Sequence, residues 1–110
     1  RDGYANFAIA DPPLKLVLFT GMGEPGSLNH IGVEVETTDE VTAVISRTQA
    51  MGLQQEIQQN TSCCFAVQDK TWVKGPENDW EFYTVLGDAP AMDEVACDPA
   101  EPTAHRSTCC

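Results

Sequence analysis

Four side chains carry most of the chemistry this sequence can offer: His30, Glu81 and the adjacent thiols of Cys63 and Cys64. His30 heads the run "NHIGVEVE", and Glu81 sits between two aromatic residues in "WEFYTVL". A carboxylate in so apolar a strand is costly to bury unless it is paired or metal-bound. Imidazole with carboxylate suits Fe(II), Mn(II) or Zn(II), whereas thiolate suits softer acceptors. Each residue also has a plainer reading. His30 can be a strand-edge histidine, and Glu81 can face solvent opposite Lys74. Lys70 reads as a solvated charge, and a cysteine can be a small buried apolar residue. Neighbouring residues in a strand point to opposite faces. Cys63 and Cys64 can therefore meet one ligand only where the backbone is irregular, at a loop or a strand entrance.

Composition narrows the partners. With 17 acidic and 6 basic residues the 110-residue chain carries a net charge of −11. Nucleic acid and anionic membrane both require a basic footprint, so neither is expected. No apolar run approaches the roughly 20 residues that span a bilayer. Arg1 in place of an initiator methionine, directly before a strand-like run, suggests a chain that opens inside a domain. Any leader or earlier strand is expected upstream. The five cysteines, Cys63, Cys64, Cys97, Cys109 and Cys110, show neither zinc-knuckle spacing nor a disulfide framework. They are expected as reduced thiols in a cytoplasmic protein, with Cys97, Cys109 and Cys110 as accessory ligands for soft metals.

The elements that must position these groups follow from periodicity. Residues 3–10 and 14–20 alternate as two strands joined through Asp11-Pro12-Pro13, and residues 21–27 form a Gly/Pro loop. Residues 29–36 alternate strictly, with Ile31, Val33 and Val35 on one face. Thr37 and Glu40 fit a capping box. Val41, Val44, Ile45, Thr48 and Met51 then recur at helical spacing up to Gly52. A weak strand is expected near 54–59, a strand after a loop at 63–74, a hairpin loop at 74–79 and a strand at 80–86. Three parts result: residues 1–20, rear strands of an incomplete βαβββ unit; residues 28–86, a complete βαβββ unit; and residues 87–110, a disordered acidic tail. The fold class is α+β.

The segments "GYANFAIADPPLKLVL" (3–18), "LNHIGVEVE" (28–36), "TSCCFAVQDKTWV" (61–73) and "WEFYTVL" (80–86) resemble the glyoxalase/bleomycin-resistance, or vicinal oxygen chelate, superfamily. The resemblance is to the branch of organoarsenical carbon–arsenic lyases and cadmium-induced proteins. It implies two βαβββ units around one metal, Fe(II) in the lyases. His30 and Glu81 would be two ligands, and a histidine or glutamine upstream of Arg1 the third; His105 is a poor substitute. Cys63 and Cys64 would bind trivalent arsenic. Dioxygen would be consumed as the organic substituent is detached and arsenite released. The alternative is a cytoplasmic thiol sink for cadmium or arsenite without turnover. An isomerase or thiol transferase explains the adjacent cysteines less well. Members of the superfamily often pair, so a homodimer is expected.

Overall fold

The helix is the element most completely specified by local sequence, and in the computed structural model, which describes residues 2–63 and 65–90, α1 spans Thr38–Ala50. The Thr37 hydroxyl accepts from the Glu40 N–H, and the Glu40 carboxylate accepts from the Thr37 N–H, so both halves of the capping box form. Met51 caps the other end. Gly52 follows with φ +73, a left-handed turn that glycine adopts without the Cβ penalty. Val41, Val44 and Thr48 are buried, and Met51, the last residue of the periodic set, is exposed.

Six strands accompany the helix among the described residues: β1 (Tyr4–Ile9), β2 (Leu14–Phe19), β3 (His30–Glu34), β4 (Gln55–Cys63), β5 (Ala66–Val73) and β6 (Asp79–Asp88). β1 and β2 form an antiparallel hairpin. The other four make one sheet in the order β3-β6-β5-β4, in which β3 runs parallel to β6 and the remaining pairs are antiparallel. The chain is therefore α+β, and β3-α1-β4-β5-β6 is a βαβββ unit. The helix packs on β5, β6 and β4. Its contacts reach the odd-numbered residues of β5: Thr38 donates to Asp69, and Thr48 and Thr71 both donate to Gln55. Alternation sends Gln68, Lys70 and Trp72 to the opposite face.

Three boundaries differ from the sequence expectation. The weak strand near 54–59 is a nine-residue strand, because Thr61 and Ser62 pair in the ladder and Asn60 stands in a bulge within it, so these residues do not form a loop. Cys63 pairs with Ala66, so only positions 64 and 65 join β4 to β5, and Phe65 takes a left-handed φ of 67. β6 continues through Gly87 to Asp88, and the buried Ala89 donates its N–H to the Phe65 carbonyl. Cys64, Cys97, His105, Cys109 and Cys110 lie outside the described residues, as does the expected tail from 91 on.

The hairpin is tied to the sheet at two points. The Tyr4 ring stacks edge-on with Phe19 and with Phe65, at 5.1 and 5.6 Å. The Lys15 ammonium pairs with Glu34 of β3.

Candidate functional site

His30 and Glu81 come from the first and last strands of the unit, and the parallel β3–β6 pairing brings them together. His30 lies opposite Asp79 and Gly32 opposite Glu81. The His30 Nε2 is 3.4 Å from Glu81 Oε2. Its other ring nitrogen, Nδ1, lies 2.6 Å from Asn29 Oδ1. A carbonyl oxygen can only accept, so Nδ1 donates to Asn29, and Nε2, turned to Glu81, is the nitrogen left to hydrogen-bond the carboxylate or to ligate a cation. Gly32 leaves the room Glu81 needs: a Cβ there would stand 3.3 Å from Oε2.

Lys70 overturns its reading as a solvated charge. It is 1% exposed, and its Nζ donates to Glu81 Oε1 at 2.7 Å. It also stands 5.6 Å from the centre of the Trp72 ring, itself 4.8 Å from the His30 ring and nearly perpendicular to it. Lys74, the partner considered for Glu81, pairs with Asp79. Glu81 is thus a buried carboxylate. Burial pushes its pKa up, but the His30 hydrogen bond and the Lys70 ammonium together outweigh that and hold it below the ordinary glutamate value.

The two carboxylate oxygens have different tasks. Oε1 is held by Lys70, while Oε2 faces His30 Nε2. Two ligands roughly 2.1 Å from one ion, at tetrahedral to right angles, stand about 3.0–3.4 Å apart. The observed spacing fits a shared divalent cation. Asn29 fixes the imidazole tautomer as an outer partner of a ligating histidine does. Among the described residues no third His, Cys, Asp or Glu joins these two. An open cleft of about 260 Å³, with Met22, Leu28, His30 and Trp72 among its walls, exposes the His30 end to solvent.

Cys63 ends β4, buried and disulfide-bonded, which corrects the expectation of a reduced thiol. Its pairing with Ala66 puts it on the face of Gln68, Lys70 and Trp72. Along β5, however, Ala66 is six residues from Trp72, the neighbour of Glu81, or roughly 20 Å of strand. The structure therefore sets the thiol and the His30–Glu81 pair on one face but not side by side. Sequence reasoning missed Lys70, Asn29, Gly32 and Trp72. The available signal was parity: Lys70 and Trp72 alternate with the helix-facing residues of "QDKTWV", so a solvated Lys70 requires an uncovered face.

No protein-family model matches the chain. The cadmium-induced protein CadI of Mycobacterium tuberculosis is 49% identical over 111 residues, covering all of this chain and 73% of that protein. A trivalent organoarsenical cleaving enzyme of Thermomonospora curvata is 49% identical over 107 residues, 92% of this chain and 71% of that enzyme. Another from a Bacillus species is 32% identical over 115 residues, all of this chain and 71% of that enzyme.

Proposed function

The chain belongs to the family that joins the CadI cadmium-induced proteins with the trivalent organoarsenical cleaving enzymes, and from that premise we propose that it cleaves carbon–arsenic bonds in trivalent organoarsenicals. Cys63 and Cys64 bind the arsenic as thiolates, and His30 and Glu81 bind Fe(II). The third ligand lies upstream of Arg1 on this reading. The observation that carries it is the 3.4 Å approach of the part-exposed His30 Nε2 to Oε2 of the buried Glu81.

Iron held by imidazole and carboxylate, with positions left open, supplies the means of activating dioxygen. The chain's own residues do the rest. Asn29 holds the His30 ring in the tautomer that offers Nε2. Lys70 occupies one carboxylate oxygen of Glu81 and leaves the other for the metal. Burial of Lys70 and Glu81 keeps bulk water from the Oε1 side of the carboxylate. A cytoplasmic thiol reductant, itself oxidised to a disulfide, would first pass two electrons to the Cys63 disulfide and free the thiolate for arsenic. Two copies associate through the exposed hairpin. The protein acts in the cytoplasm on this reading, where thiol reductants able to open that disulfide are at hand.

The separation of Cys63 from His30 and Glu81 favours a second reading, soft-metal or arsenite capture by thiols without turnover. Anaerobic Fe(II) titration of the wild type and of Glu81→Gln separates the two, combined with arsenite release in air. The lyase reading expects at least about tenfold weaker iron binding in the variant, through loss of the anionic ligand, and arsenite release only with dioxygen. Unchanged iron affinity in Glu81→Gln would sink the metal assignment. Arsenical binding without release leaves capture.

A further inference from the structure

β4 is one residue longer than the stretch of β5 it faces. Gln58 pairs with Lys70 and Thr61 with Gln68, so Gln59 and Asn60 stand opposite the single residue Asp69. Two residues against one make a β-bulge. Asn60 takes a φ of 49, a left-handed conformation that asparagine tolerates better than most residues. Its N–H donates to Asp69 Oδ1 at 2.7 Å. The other oxygen of Asp69 accepts from the Thr38 hydroxyl, also at 2.7 Å, in the first turn of α1. One carboxylate thus supplies an acceptor to the bulge and anchors it to the helix.

The bulge decides where Cys63 goes. Strand side chains alternate between faces, so an extra residue reverses the parity beyond it. Gln58 lies on the Lys70 face before the bulge, and Thr61 and Cys63 lie on that face after it. Without the bulge, the ladder leaving Gln58 would pair Asn60 with Gln68 and Ser62 with Ala66, and Cys63 would fall inside the turn. We infer that Asp69 is a positioning residue for the thiol: by holding the Asn60 bulge, it fixes the register that sets Cys63 on the face of Lys70 and Glu81. This rests on the reading of Cys63 as an arsenic ligand.

Three variants test it: Asp69→Leu, which removes the acceptor; Asp69→Asn, which keeps an acceptor oxygen; and Asp69→Leu with Gln59 deleted. The deletion yields a regular ladder that keeps Thr61 opposite Gln68 with no bulge to hold. Register is read from cross-strand NOEs. Affinity is read by titrating reduced protein with phenylarsine oxide, and Fe(II) is titrated into the same samples. Asp69→Leu is expected to lose the Thr61–Gln68 contact and roughly a hundredfold in arsenical affinity, as chelation by two thiols is lost. Asp69→Asn is expected to stay near wild type. The deletion restores both register and affinity, and iron affinity is the same in all. If Asp69→Leu does not fold, recovery of fold and affinity on deleting Gln59 supports the inference, and failure to recover overturns it. Retention of the Thr61–Gln68 contact in Asp69→Leu also overturns it. A wild type of correct register that ignores phenylarsine oxide refutes the arsenic reading instead, and the register results still decide the role of Asp69.

Discussion

The ammonium of Lys70 is buried against the carboxylate proposed to hold a metal, so each charge depends on the other. Removing one partner of such a pair leaves an uncompensated buried charge, which costs about 3–5 kcal/mol. Lys70→Met is therefore expected to lower the thermal midpoint by many degrees, and thermal denaturation followed by circular dichroism measures it. Lys70→Met with Glu81→Gln, which removes both charges, should recover much of the loss. The pH dependence follows from the same pair. Glu81 holds its proton less readily folded than unfolded, so the unfolded chain binds more protons. Its contribution is complete above the ordinary glutamate value of 4.5 and is lost as pH falls through the lower folded value. Urea midpoints measured from pH 7 to pH 3 should show this acid-side loss in the wild type, and a smaller loss in Glu81→Gln. At position 32, Gly32→Ala puts a methyl group 3.3 Å from Glu81 Oε2. It should weaken Fe(II) binding while leaving arsenical binding unchanged, as parallel titrations would show.

Among the elements, α1 was legible because its signals are local: a cap, a period and a terminating glycine within 16 residues, Thr37 to Gly52. Thr37→Ala should cost about 1 kcal/mol, read as a shift in urea midpoint. The order strand, helix, strand, strand, strand was legible for the same reason. The end of β4 was not. Asn60, Thr61 and Ser62 are polar and turn-prone, and what makes them a strand is the carboxylate of Asp69, nine residues away. The burial of Lys70 was hidden for a related reason, since its partner Glu81 lies on another strand and nothing in "QDKTWV" announces it. The His30–Glu81 pair was visible only as two residues out of keeping with their strands. Their meeting depends on β3 lying beside β6, which periodicity cannot express. The hairpin's hold on β3 is likewise long-range. The Lys15 hydrogen bond, with a smaller part from Tyr83, keeps the Glu34 carboxyl below its ordinary value against the opposing effect of burial. Protonation of Glu34 in acid should release Lys15, and the protection of β2 amides, corrected for the intrinsic exchange rate at each pH, should then fall as pH drops through the lowered Glu34 value.

For the molecule as a whole, the hairpin presents an unusual surface. Phe7, Ile9, Leu14, Leu16 and Leu18 share one face by their pairing, and all are exposed. Contiguous apolar patches of this kind mark interaction surfaces. The net charge of −11 opposes association of two copies, and salt screens that repulsion over about 10 Å at 0.1 M. Light scattering should therefore show dimer formation that strengthens with added salt, and Leu16→Glu should abolish it. Among the described residues no helix is long and apolar enough to cross a membrane. The parallel pairing of β3 with β6 also sets an order of events. His30 and Asp79 are 49 positions apart, 79 less 30, and joining such distant strands must overcome the loop-closure entropy of everything between them. During synthesis the imidazole leaves the ribosome long before its carboxylate partner. The two side chains can meet only after the helix and both intervening strands have emerged, so if this pair holds the proposed metal, a nascent chain would not capture it there prematurely, and uptake would report that the unit has closed.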